Sequence, residues 1–474
     1  MTVVSGVQLG RLLADWRLAG TGPAYARLAG AVRALLVDGR LPLAARLPAE
    51  RDLAARLGVS RTTVTAAYDA LRSQGYVHAR QGSGTFTALP PGHVHQGAGW
   101  TALGEPVQLD LAVASSDAVP DVVEAAVERA AGRLGRHLRG HGYDVLGLPE
   151  LREAVADRYA RRGLPTSPDA VVVTAGALAA IGLVARSLLS AGDRVVVDTP
   201  TYPSALEVAR RAGGRVSAVA LDDAGWDLDR VEDAYRSALP RLGYVVADFA
   251  NPTGHLLDTA GRARLVRAAA AAGSTLVVDE TLADLVLDAA VVPPPVAAFD
   301  DDDRVVSVGS MSKTHWGGLR TGWLRAPRAL VARLAEARSA LDLAPPVLEQ
   351  LVAVELLGDD RALDLRRAEL RRRRAALVAA LAEHVPEWSW RPPAGGLVLW
   401  VRLDAPVATS LAAAAARHGV RVVPGGRFSA DGTGERHLRL PFALPEERLA
   451  DAVAHLAAAR ADLGSAPLPL AAVT

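Results

Sequence analysis

Residues 305–322 read VVSVGSMSKTHWGGLRTG, and this stretch decides the fold. It begins with a Val-rich run in which apolar and polar residues do not alternate, as in a strand that is buried on both faces. The run leads into Ser310, Ser312 and Lys313, and Arg320 follows after a pair of glycines. Because ligands of open α/β sheets bind at the carboxyl ends of the strands, the stretch predicts an α/β fold with a ligand site at this point.

Lys313 is the only lysine of the chain, which contains fifty-two arginines. Arginine can replace lysine as a solvated charge, but it cannot lose its proton at physiological pH. The retained lysine is therefore a candidate for amine chemistry, above all for a Schiff base. The alternative is a surface lysine that has been retained by chance.

The groups near Lys313 suit one cofactor. Serine hydroxyls and the guanidinium of Arg320 suit a phosphate dianion, whereas an amine suits an aldehyde. Pyridoxal 5′-phosphate carries both groups, and its protonated ring nitrogen also needs a carboxylate. Asp279 comes directly after another apolar run, residues 276–278, and can supply that carboxylate.

Other segments of the chain can complete such a site. Asn251 follows a further apolar run and can donate to the phenolic oxygen of the cofactor. Gly176 and Ala177 lie between a predicted strand and a predicted helix, where backbone N–H groups can hold a phosphate. Tyr202 can stack on the pyridine ring, and Arg439 can clamp the carboxylate of a ligand.

Apolar runs of this kind recur between Gln108 and about Leu463, where they alternate with Ala-, Arg- and Leu-rich stretches of helical pattern. This alternation predicts a mainly parallel sheet that is covered by helices on both faces. The predicted strands include residues 171–173, 194–197, 244–247, 276–278 and 305–308.

Length and composition limit the class of protein. With 474 residues, half of them hydrophobic, the chain suits two or three domains and a large core. We find no apolar run long enough to span a bilayer and no export signal, so we expect a cytoplasmic protein without membrane contact. The absence of cysteine excludes disulfides, cysteine–zinc sites and thiol catalysis, and no metal site is predicted.

Charge is distributed unevenly along the chain. Residues 1–90 hold eleven arginines against five acidic residues, whereas the remainder is mildly acidic. A small basic unit on an acidic body is typical of nucleic-acid-binding proteins. A second basic run, Arg371 to Arg374, is interpreted as the solvated face of an amphipathic helix. The predicted organisation is an N-terminal segment (1–23), a head (24–87), a linker (88–107), a body (108–463) and a tail (464–474).

Within the head, residues 47–64 predict two short helices that meet at Gly58, with Ser60 as the N-cap of the second helix. The first turn of that helix presents Arg61, Thr62 and Thr63 outward, as a recognition helix in the major groove requires. Its predicted buried face is spaced i, i+3, i+4, i+7 and consists of Val64, Ala67, Tyr68 and Leu71.

A hairpin follows at residues 76–87, with Gly82-Ser83-Gly84 at its tip, where small residues allow the backbone to approach phosphates. The whole head resembles the winged helix-turn-helix domain of the GntR family. Thr65 stands where relatives often have another arginine, so DNA affinity or sequence preference is expected to differ. The resemblance implies DNA contacts by Arg51, Arg61, Thr62, Thr63 and Gly82.

The body resembles the class I, fold-type I aminotransferases, through the order in which its motifs follow one another. This resemblance implies an α/β body with a mainly parallel central sheet and a smaller C-terminal α/β subdomain, and pyridoxal 5′-phosphate as cofactor. Lys313 would form the aldimine, Asp279 would face the pyridine nitrogen and Asn251 would donate to O3′. Arg439 would bind the ligand carboxylate. The remaining contacts implied are stacking by Tyr202 and phosphate binding by Ser310, Ser312, Arg320, Gly176 and Ala177.

The body departs from that family at three places. Thr281 and Leu282 stand where relatives have a tyrosine that is hydrogen-bonded to O3′. Ala175 and Ala177 replace hydroxyl residues that some aminotransferases use on the phosphate. Tyr143 is the nearest match to a tyrosine that reaches the phosphate from the neighbouring subunit, but its spacing to the next glycine differs by one residue.

Head and body together resemble the MocR subfamily of bacterial transcription regulators. This implies a cytoplasmic homodimer that binds double-stranded DNA and responds to a small amino compound, or to pyridoxal phosphate itself. One alternative is an active aminotransferase with an appended DNA-binding domain. The other is a purely structural repressor whose body binds nothing, which the retained lysine disfavours.

Overall fold

The computed structural model describes residues 3–13, 16, 23–37, 41–80, 83–88, 107, 109–288 and 292–465. Gly82 and almost all of the predicted linker therefore lie outside the described residues. In the head, the helices are α1 (Gly6–Leu12), α2 (Ala24–Val37), α3 (Glu50–Leu57) and α4 (Arg61–Ser73), and the strands are β1 (Val77–Arg80) and β2 (Gly84–Thr87).

The predicted helix-turn-helix is confirmed. Gly58 ends α3 in the left-handed conformation, with φ of 62°, and Ser60 caps α4 by accepting a 3.1 Å hydrogen bond from the backbone N–H of Thr63. Buried Tyr68 donates to the backbone oxygen of Pro48 at 3.0 Å, which holds α4 against the segment before α3. The buried residues of α4 are Val64, Ala67, Tyr68 and Leu71, as the periodicity predicts.

The hairpin after α4 is the wing. β1 and β2 pair antiparallel, with Val77 opposite Thr87 and Arg80 opposite Gly84. Residues 44–47 run beside β2 and form two backbone hydrogen bonds of 2.9 Å with it. The wing is therefore joined to the chain that enters the helix-turn-helix, which makes the head one compact unit.

The body contains eleven helices and fourteen strands among its described residues. The helices are α5 (Pro120–Leu134), α6 (Pro149–Arg161), α7 (Ala177–Leu188), α8 (Pro203–Arg211), α9 (Leu228–Ala238), α10 (Thr259–Ala271), α11 (Arg328–Arg338), α12 (Val347–Leu357), α13 (Arg361–His384), α14 (Ala408–Arg417) and α15 (Glu446–Ser465). The strands are β3 (Leu109–Asp110), β4 (Val171–Thr174), β5 (Arg194–Thr199), β6 (Arg215–Asp222), β7 (Gly225–Trp226), β8 (Leu242–Val245), β9 (Thr275–Asp279), β10 (Val305–Ser310), β11 (Gly322–Arg325), β12 (Ser389–Trp390), β13 (Val398–Arg402), β14 (Val420–Arg421), β15 (Val423–Pro424) and β16 (His437–Pro441).

The central sheet has eight strands in the order β4-β11-β10-β9-β8-β5-β6-β7. The strands β10, β9, β8, β5 and β6 pair parallel, whereas β11 is antiparallel to both of its neighbours and β7 is antiparallel to β6. Every apolar run that predicted a strand forms one, as β4, β5, β8, β9 and β10. The prediction of a mainly parallel sheet is therefore confirmed.

Helices cover this sheet on both faces, which explains the unalternated strands. In β4, Val171 and Val173 belong to the core on one face, and Val172 belongs to the core on the other. The strand β9, near the middle of the same sheet, divides in the same way, with Val278 on the first face and Val277 on the second. Both faces of each strand therefore need apolar side chains.

A smaller C-terminal subdomain follows, with the antiparallel sheet β12-β13-β16-β15. Its core joins side chains of this sheet to those of α13, α14 and α15. The strand β3, where the chain enters the body, pairs with β14 of the same subdomain, so Leu109 lies opposite Val420. Within the described part of the chain, no helix combines the length and the apolar character that a membrane crossing requires.

Candidate functional site

The candidate residues of the body converge at the carboxyl edge of the central sheet. Asp279 is the last residue of β9 and Ser310 the last residue of β10. Gly176 follows β4, which runs in the same direction as β10 because β11 is antiparallel to both. Strand direction therefore brings a carboxylate, a hydroxyl and a helix N-terminus to one edge.

Lys313 lies three residues beyond the end of β10 and is partly buried. Its Nζ donates a 2.7 Å hydrogen bond to the backbone oxygen of Ala114. Burial and the nearby positive charges of Arg439 and Arg320 lower the pKa of Lys313 to about 8, against an opposing effect of Asp279. A lysine with a lowered pKa offers a neutral, nucleophilic amine near neutral pH.

Asp279 is buried, and two donors orient its carboxylate. The Tyr244 hydroxyl donates to Oδ2 at 2.8 Å, and the backbone N–H of Thr281 donates to Oδ1 at 3.0 Å. Burial, followed by the charge of Asp279, raises the pKa of Tyr244 well above its ordinary value, so its phenol stays protonated and keeps donating. No sequence motif marks Tyr244 for this role, although a buried tyrosine in a strand of the sheet needs a partner for its hydroxyl.

Arg320 lies against the turn that follows β4. Its backbone adopts a left-handed conformation, with φ of 48°, and its Nη2 donates to the backbone oxygen of Ala175 at 3.1 Å. A Cβ added to Gly176 would lie 2.7 Å from that Nη2. Because Gly176 also has a φ of 87°, the turn requires glycine both for its conformation and for this close approach.

Two serines and a helix N-terminus complete this part of the site. The hydroxyls of Ser310 and Ser312 are 2.9 Å apart, and the backbone N–H of Ser312 donates to Ser310 Oγ at 3.1 Å. Ala177 is the first residue of the twelve-residue helix α7. Hydroxyls, a guanidinium and the positive end of a helix dipole are the groups that bind a phosphate dianion.

Arg439, on β16, is fully buried. Its Nη2 donates to the backbone oxygen of Ala112, and its Cζ lies 5.0 Å from the centre of the Phe428 ring. Burial lowers the pKa of Arg439 to about 9. In such low-dielectric surroundings, a charge-assisted hydrogen bond to a carboxylate is strong.

The backbone of residues 112–115 connects the two cations of the site. Ala112 accepts from Arg439 and Ala114 accepts from Lys313, while the Ser115 hydroxyl donates to the backbone oxygen of Ser312 at 3.2 Å. Both acceptors belong to one short segment, which therefore holds both side chains. No sequence motif marks this segment, because any residue can supply a backbone acceptor.

Asn251 follows β8 and Tyr202 follows β5, and these two strands are neighbours in the central sheet. The Oδ1 atom of Asn251 is buried and makes no hydrogen bond within the described part of the chain. A buried amide in this state is costly, and a hydroxyl or phenolic group of a ligand would satisfy it. Tyr202 precedes α8, and its pKa is raised mainly by burial, with further effects from Asp279, Arg439 and Arg320 that place it within electrostatic reach of the site.

The structure also locates the departures from the family pattern. Thr281 contributes its backbone N–H to Asp279, whereas Leu282 is buried in the core of the C-terminal subdomain. Tyr143 is 60% exposed, and its ring centre lies 5.7 Å from that of His141. Among the described residues, the phenol that contacts Asp279 is thus that of Tyr244, on the adjacent strand.

These groups fit pyridoxal phosphate. The buried Oδ1 of Asn251 can accept from a protonated phenolic hydroxyl, and the glycine turn under Arg320 suits a phosphate. Lys313 offers an amine for the aldehyde, and Asp279 offers a carboxylate for the ring nitrogen.

In the head, the predicted DNA-contacting side chains lie at the start of α4 and on α3. Arg51, Arg61 and Thr62 are exposed, and Thr63 is partly buried. The Ser60 hydroxyl lies 2.7 Å from that of Thr62 and 2.8 Å from that of Thr63. Arg61, Thr62 and Thr63 therefore share the first turn of α4, whereas Arg51 lies in the first turn of α3 and Gly82 lies outside the described residues.

Thr65 makes a local contact in place of the arginine that relatives often carry. Its hydroxyl donates to Glu50 Oε2 at 2.8 Å, and the same oxygen lies 3.4 Å from Arg61 Nε. The Arg61 side chain is nevertheless 72% exposed. Glu50 therefore steers Arg61 without removing it from solvent.

The head and the body match different family models. Residues 24–87 match the model for bacterial regulatory proteins of the gntR family. Residues 107–456 match the model for aminotransferase class I and II. The second match covers most of the chain, and both resemblances expected from the sequence are confirmed.

Two relatives of this chain are named as regulatory proteins. The chain is 30% identical to YdcR of Escherichia coli K12, an uncharacterized HTH-type transcriptional regulator, over 88% of this chain and 93% of that protein. It is also 30% identical to MocR of Rhizobium meliloti, a probable rhizopine catabolism regulatory protein, over 77% of this chain and 78% of that protein.

A solved structure extends the likeness to the fold of the body. LysN of Thermus thermophilus, an alpha-aminoadipate aminotransferase in complex with N-(5′-phosphopyridoxyl)-L-leucine, superposes with a TM-score of 0.68 at 30% identity. The match covers 75% of this chain and 93% of that protein. The chain belongs to the aminotransferase class I and II family, and it joins an aminotransferase-like domain to a DNA-binding domain of the GntR family.

Proposed function

We propose that this chain is a MocR-type transcription regulator that binds double-stranded DNA through its head and a small amino compound, or pyridoxal phosphate itself, in its body. One observation carries the proposal. Lys313 and Arg439 both donate to the segment 112–115, so one backbone segment can respond to the amine and to the carboxylate of the same ligand. Two of the relatives are named as regulators.

Pyridoxal phosphate is the proposed cofactor, and when bound it supplies an aldehyde that condenses with an amine. Asp279 would face its ring nitrogen, Asn251 would hydrogen-bond its phenolic oxygen and Tyr202 would cover its ring. The phosphate would be held by Ser310, Ser312, Arg320, Gly176 and Ala177.

An amino compound would act on the chain's own contacts. Its amine would take the place of Lys313 on the cofactor, so the bond between Lys313 Nζ and the cofactor carbon would break. Nζ would return as a free amine that can donate to the backbone oxygen of Ala114, as it does in this structure. Its carboxylate would compete with Ala112 for Arg439. The ligand can change DNA binding only by the difference in its affinity for two arrangements of the chain, and a tenfold change in operator affinity requires about 1.4 kcal/mol.

We further propose a homodimer formed through the body. The segments 138–143 and 341–348 expose large apolar side chains, of which Leu138 is 72% exposed and Leu343 is 44% exposed. The two segments are neighbours, since a Cβ on Gly142 would lie 3.9 Å from Val347. Exposed apolar surface of this kind is typical of an interface, and a second copy would cover it.

The cofactor attachment can be tested directly. Purified protein is saturated with pyridoxal phosphate, reduced with borohydride and digested for mass spectrometry. We expect a phosphopyridoxyl group on Lys313, and because the chain has no second lysine, peptide mapping separates this adduct from the terminal amine. Lys313→Arg keeps the positive charge without a reactive amine and is the matched control. Absence of the adduct would remove the proposed trigger.

Aminotransferase activity is the second candidate, because the amine of Lys313, the carboxylate of Asp279 and the guanidinium of Arg439 are all present. Turnover of amino acids with 2-oxoglutarate tests it. Rapid, repeated turnover at physiological substrate concentrations would favour an enzyme over a sensor. A body without cofactor, the third alternative, predicts no absorbance change on addition of pyridoxal phosphate.

A further inference from the structure

The head and the body meet around Arg33 of α2. This arginine is 8% exposed, and its Nη2 donates to the backbone oxygen of Gly432 at 2.9 Å. Its Nη1 donates to Gln74 Oε1 at 2.9 Å, and its Nε lies 3.6 Å from Glu435 Oε1. One guanidinium therefore joins two segments of the head to the C-terminal subdomain.

The surroundings of this contact resemble a protein interior. The side chains of Arg33 and Glu435 are each 10% exposed, and the centre of the buried Tyr76 ring lies 6.0 Å from Arg33 Cζ. Burial, and then the charge of Glu435, raises the pKa of Tyr76, which shows that the first residues of the wing share the electrostatic environment of the body. Removing one partner of a buried ion pair is strongly destabilising, because the other charge stays buried.

The body side of this contact is the β15–β16 loop, residues 425–436, and its other end lies at the ligand site. Phe428 packs its ring against Arg439, and its backbone oxygen accepts a 2.8 Å hydrogen bond from Thr201. Ala430 donates to Thr199 Oγ1 at 3.2 Å. The loop thus touches Arg439 and the segment that leads into Tyr202, which are two parts of the proposed ligand site.

Internal contacts brace the β15–β16 loop between these two ends. Asp431 Oδ1 accepts from the hydroxyl of Thr433 at 2.7 Å and from its backbone N–H at 3.1 Å. Glu435 accepts from the hydroxyl of Thr409 at 2.6 Å and from its backbone N–H at 3.1 Å, which fastens the loop to the start of α14. A loop tied in this way transmits a displacement from one end to the other.

We propose that the β15–β16 loop couples the ligand site to the DNA-binding head. A ligand carboxylate that engages Arg439 displaces Phe428, and the braced loop carries the shift to Gly432 and Glu435, on which Arg33 docks. The head then changes its position relative to the body. This inference rests on the proposed function, since it requires a ligand at Arg439. The competing view is that Arg33 is a static spacer between two domains.

Hydrogen–deuterium exchange of the full chain, saturated with pyridoxal phosphate, tests the docking contact first. Arg33→Met should increase exchange in α2 and in the β15–β16 loop together, with the cofactor absorbance unchanged. Arg72→Met is the matched control, because it removes an exposed head arginine that pairs with Asp69 on its own helix. Glu435→Gln, nearly isosteric, should raise exchange in α2 as well. If exchange in α2 is unaffected by both interface variants, the docking contact is refuted.

The second comparison adds N-(5′-phosphopyridoxyl)-L-leucine, which places a carboxylate beside the cofactor ring, to the cofactor-free chain. In the unmodified chain, exchange should change in both the loop and α2. In Arg33→Met the change in the loop should persist and the change in α2 should be lost. An equal response of α2 in both proteins, or a response of the loop alone in the unmodified chain, would overturn the coupling.

Failure of the proposed function gives a different result. If calorimetry detects no binding of N-(5′-phosphopyridoxyl)-L-leucine, the ligand site and the coupling both fall, whereas the first comparison still decides whether Arg33 docks the head. If the probe binds without any effect on α2, the ligand site stands and the coupling alone is wrong.

Discussion

The chemistry proposed for the body depends on the protonation of a single amine, that of Lys313. Burial removes water from the Lys313 ammonium, and Arg439 and Arg320 repel it, so the pKa falls from its ordinary 10.5 to about 8. At pH 7.5 about a quarter of such amines are neutral, against about 0.1% at the ordinary pKa. The fold therefore increases the reactive fraction by about two hundredfold.

The rate at which Lys313 attaches the cofactor should follow this pKa. Since only the neutral amine attacks an aldehyde, the rate should rise with pH and level off above a midpoint of about 8. Stopped-flow absorbance of cofactor-free protein between pH 6 and 10 measures this. Arg439→Met removes a positive charge that lowers the pKa, so its midpoint should move to higher pH. A midpoint above pH 9.5 in the unmodified protein would contradict the assignment.

Tyr244 can be tested by removing one atom. Tyr244→Phe keeps the ring and loses the donor to Asp279 Oδ2, which leaves the carboxylate with one of its two hydrogen bonds in the described structure. Losing a hydrogen bond to a charged group should weaken cofactor binding by ~1.5 kcal/mol, about tenfold. Equilibrium dialysis measures the change. Tyr235→Phe, at another buried tyrosine, should leave cofactor affinity intact.

At the scale of elements, the proposed DNA contacts of α3 and α4 can be divided into base contacts and phosphate contacts. Arg61→Ala should weaken specific binding by ~1–3 kcal/mol and relax sequence preference if Arg61 reads a base. Arg51→Ala should weaken binding to all sequences alike and reduce the salt slope by about one if Arg51 contacts a phosphate. Mobility shifts on the upstream region of the chain's own gene, at several salt concentrations, measure both. Equal effects on specific and random DNA in both variants would remove the groove assignment.

Helix α10 offers a test of how the fold holds its buried charges. Arg262 and Asp248 are both fully buried and 2.7 Å apart. Arg262→Met should lower the free energy of unfolding by ~3–5 kcal/mol, because Asp248 would stay buried without its closest cation. Arg264→Met is the control from the same helix, since its partners Asp229 and Glu232 are at the surface, and it should change stability little. Denaturant unfolding monitored by circular dichroism compares the two.

The sequence was most informative where a local signal sets the structure. Gly58 and Ser60 mark the turn of the helix-turn-helix, and the Val-rich runs mark the strands that end at Asp279 and Ser310. Strand direction then brings distant motifs together, which is why most candidate side chains of the body could be named in advance. Their roles as ligand contacts stay predictions.

Elsewhere the sequence pattern predicted the wrong burial for a side chain, or gave no indication of its contacts. The run Arg371 to Arg374 was interpreted as a solvated face, but Arg373 is buried and donates to the backbone oxygen of Ala443. A long side chain can reach buried carbonyls from a polar helix face, so helical periodicity does not reveal its burial. The acceptors of Lys313 and Arg439 are likewise carbonyls, of Ala114 and Ala112, which any residue could provide.

At the scale of the whole molecule, the head is joined to the body along the chain by the linker and through space by the contact of Arg33. The linker enters the body at β3, and Arg33 docks on the β15–β16 loop. The uneven charge, with the excess of arginines in the head, directs DNA toward the head and away from the acidic body. Within the described part of the chain, these two connections are routes by which a signal can pass between the domains.

The pairing of β3 with β14 separates the linker from the ligand site. Leu109 lies opposite Val420, Asp110 pairs with Arg421 at 2.9 Å, and Leu111 donates to the backbone oxygen of Arg421 at 2.8 Å. These bonds hold the chain just before Ala112, the first residue of the segment that contacts Arg439 and Lys313. Tension along the linker would be taken up by the pairing of β3 with β14 before it reached the ligand site.

The length of the linker should therefore vary without any effect on ligand binding. An inserted Gly/Ser segment between residues 90 and 105 should leave cofactor affinity and the response of DNA binding to ligand unchanged, as titrations of both would report. A loss of either would mean that the pairing of β3 with β14 does not isolate the ligand site from the linker. Isolation of this kind would allow the linker to vary in length while the same ligand site is kept, because the position of the head is set by its contact at Arg33.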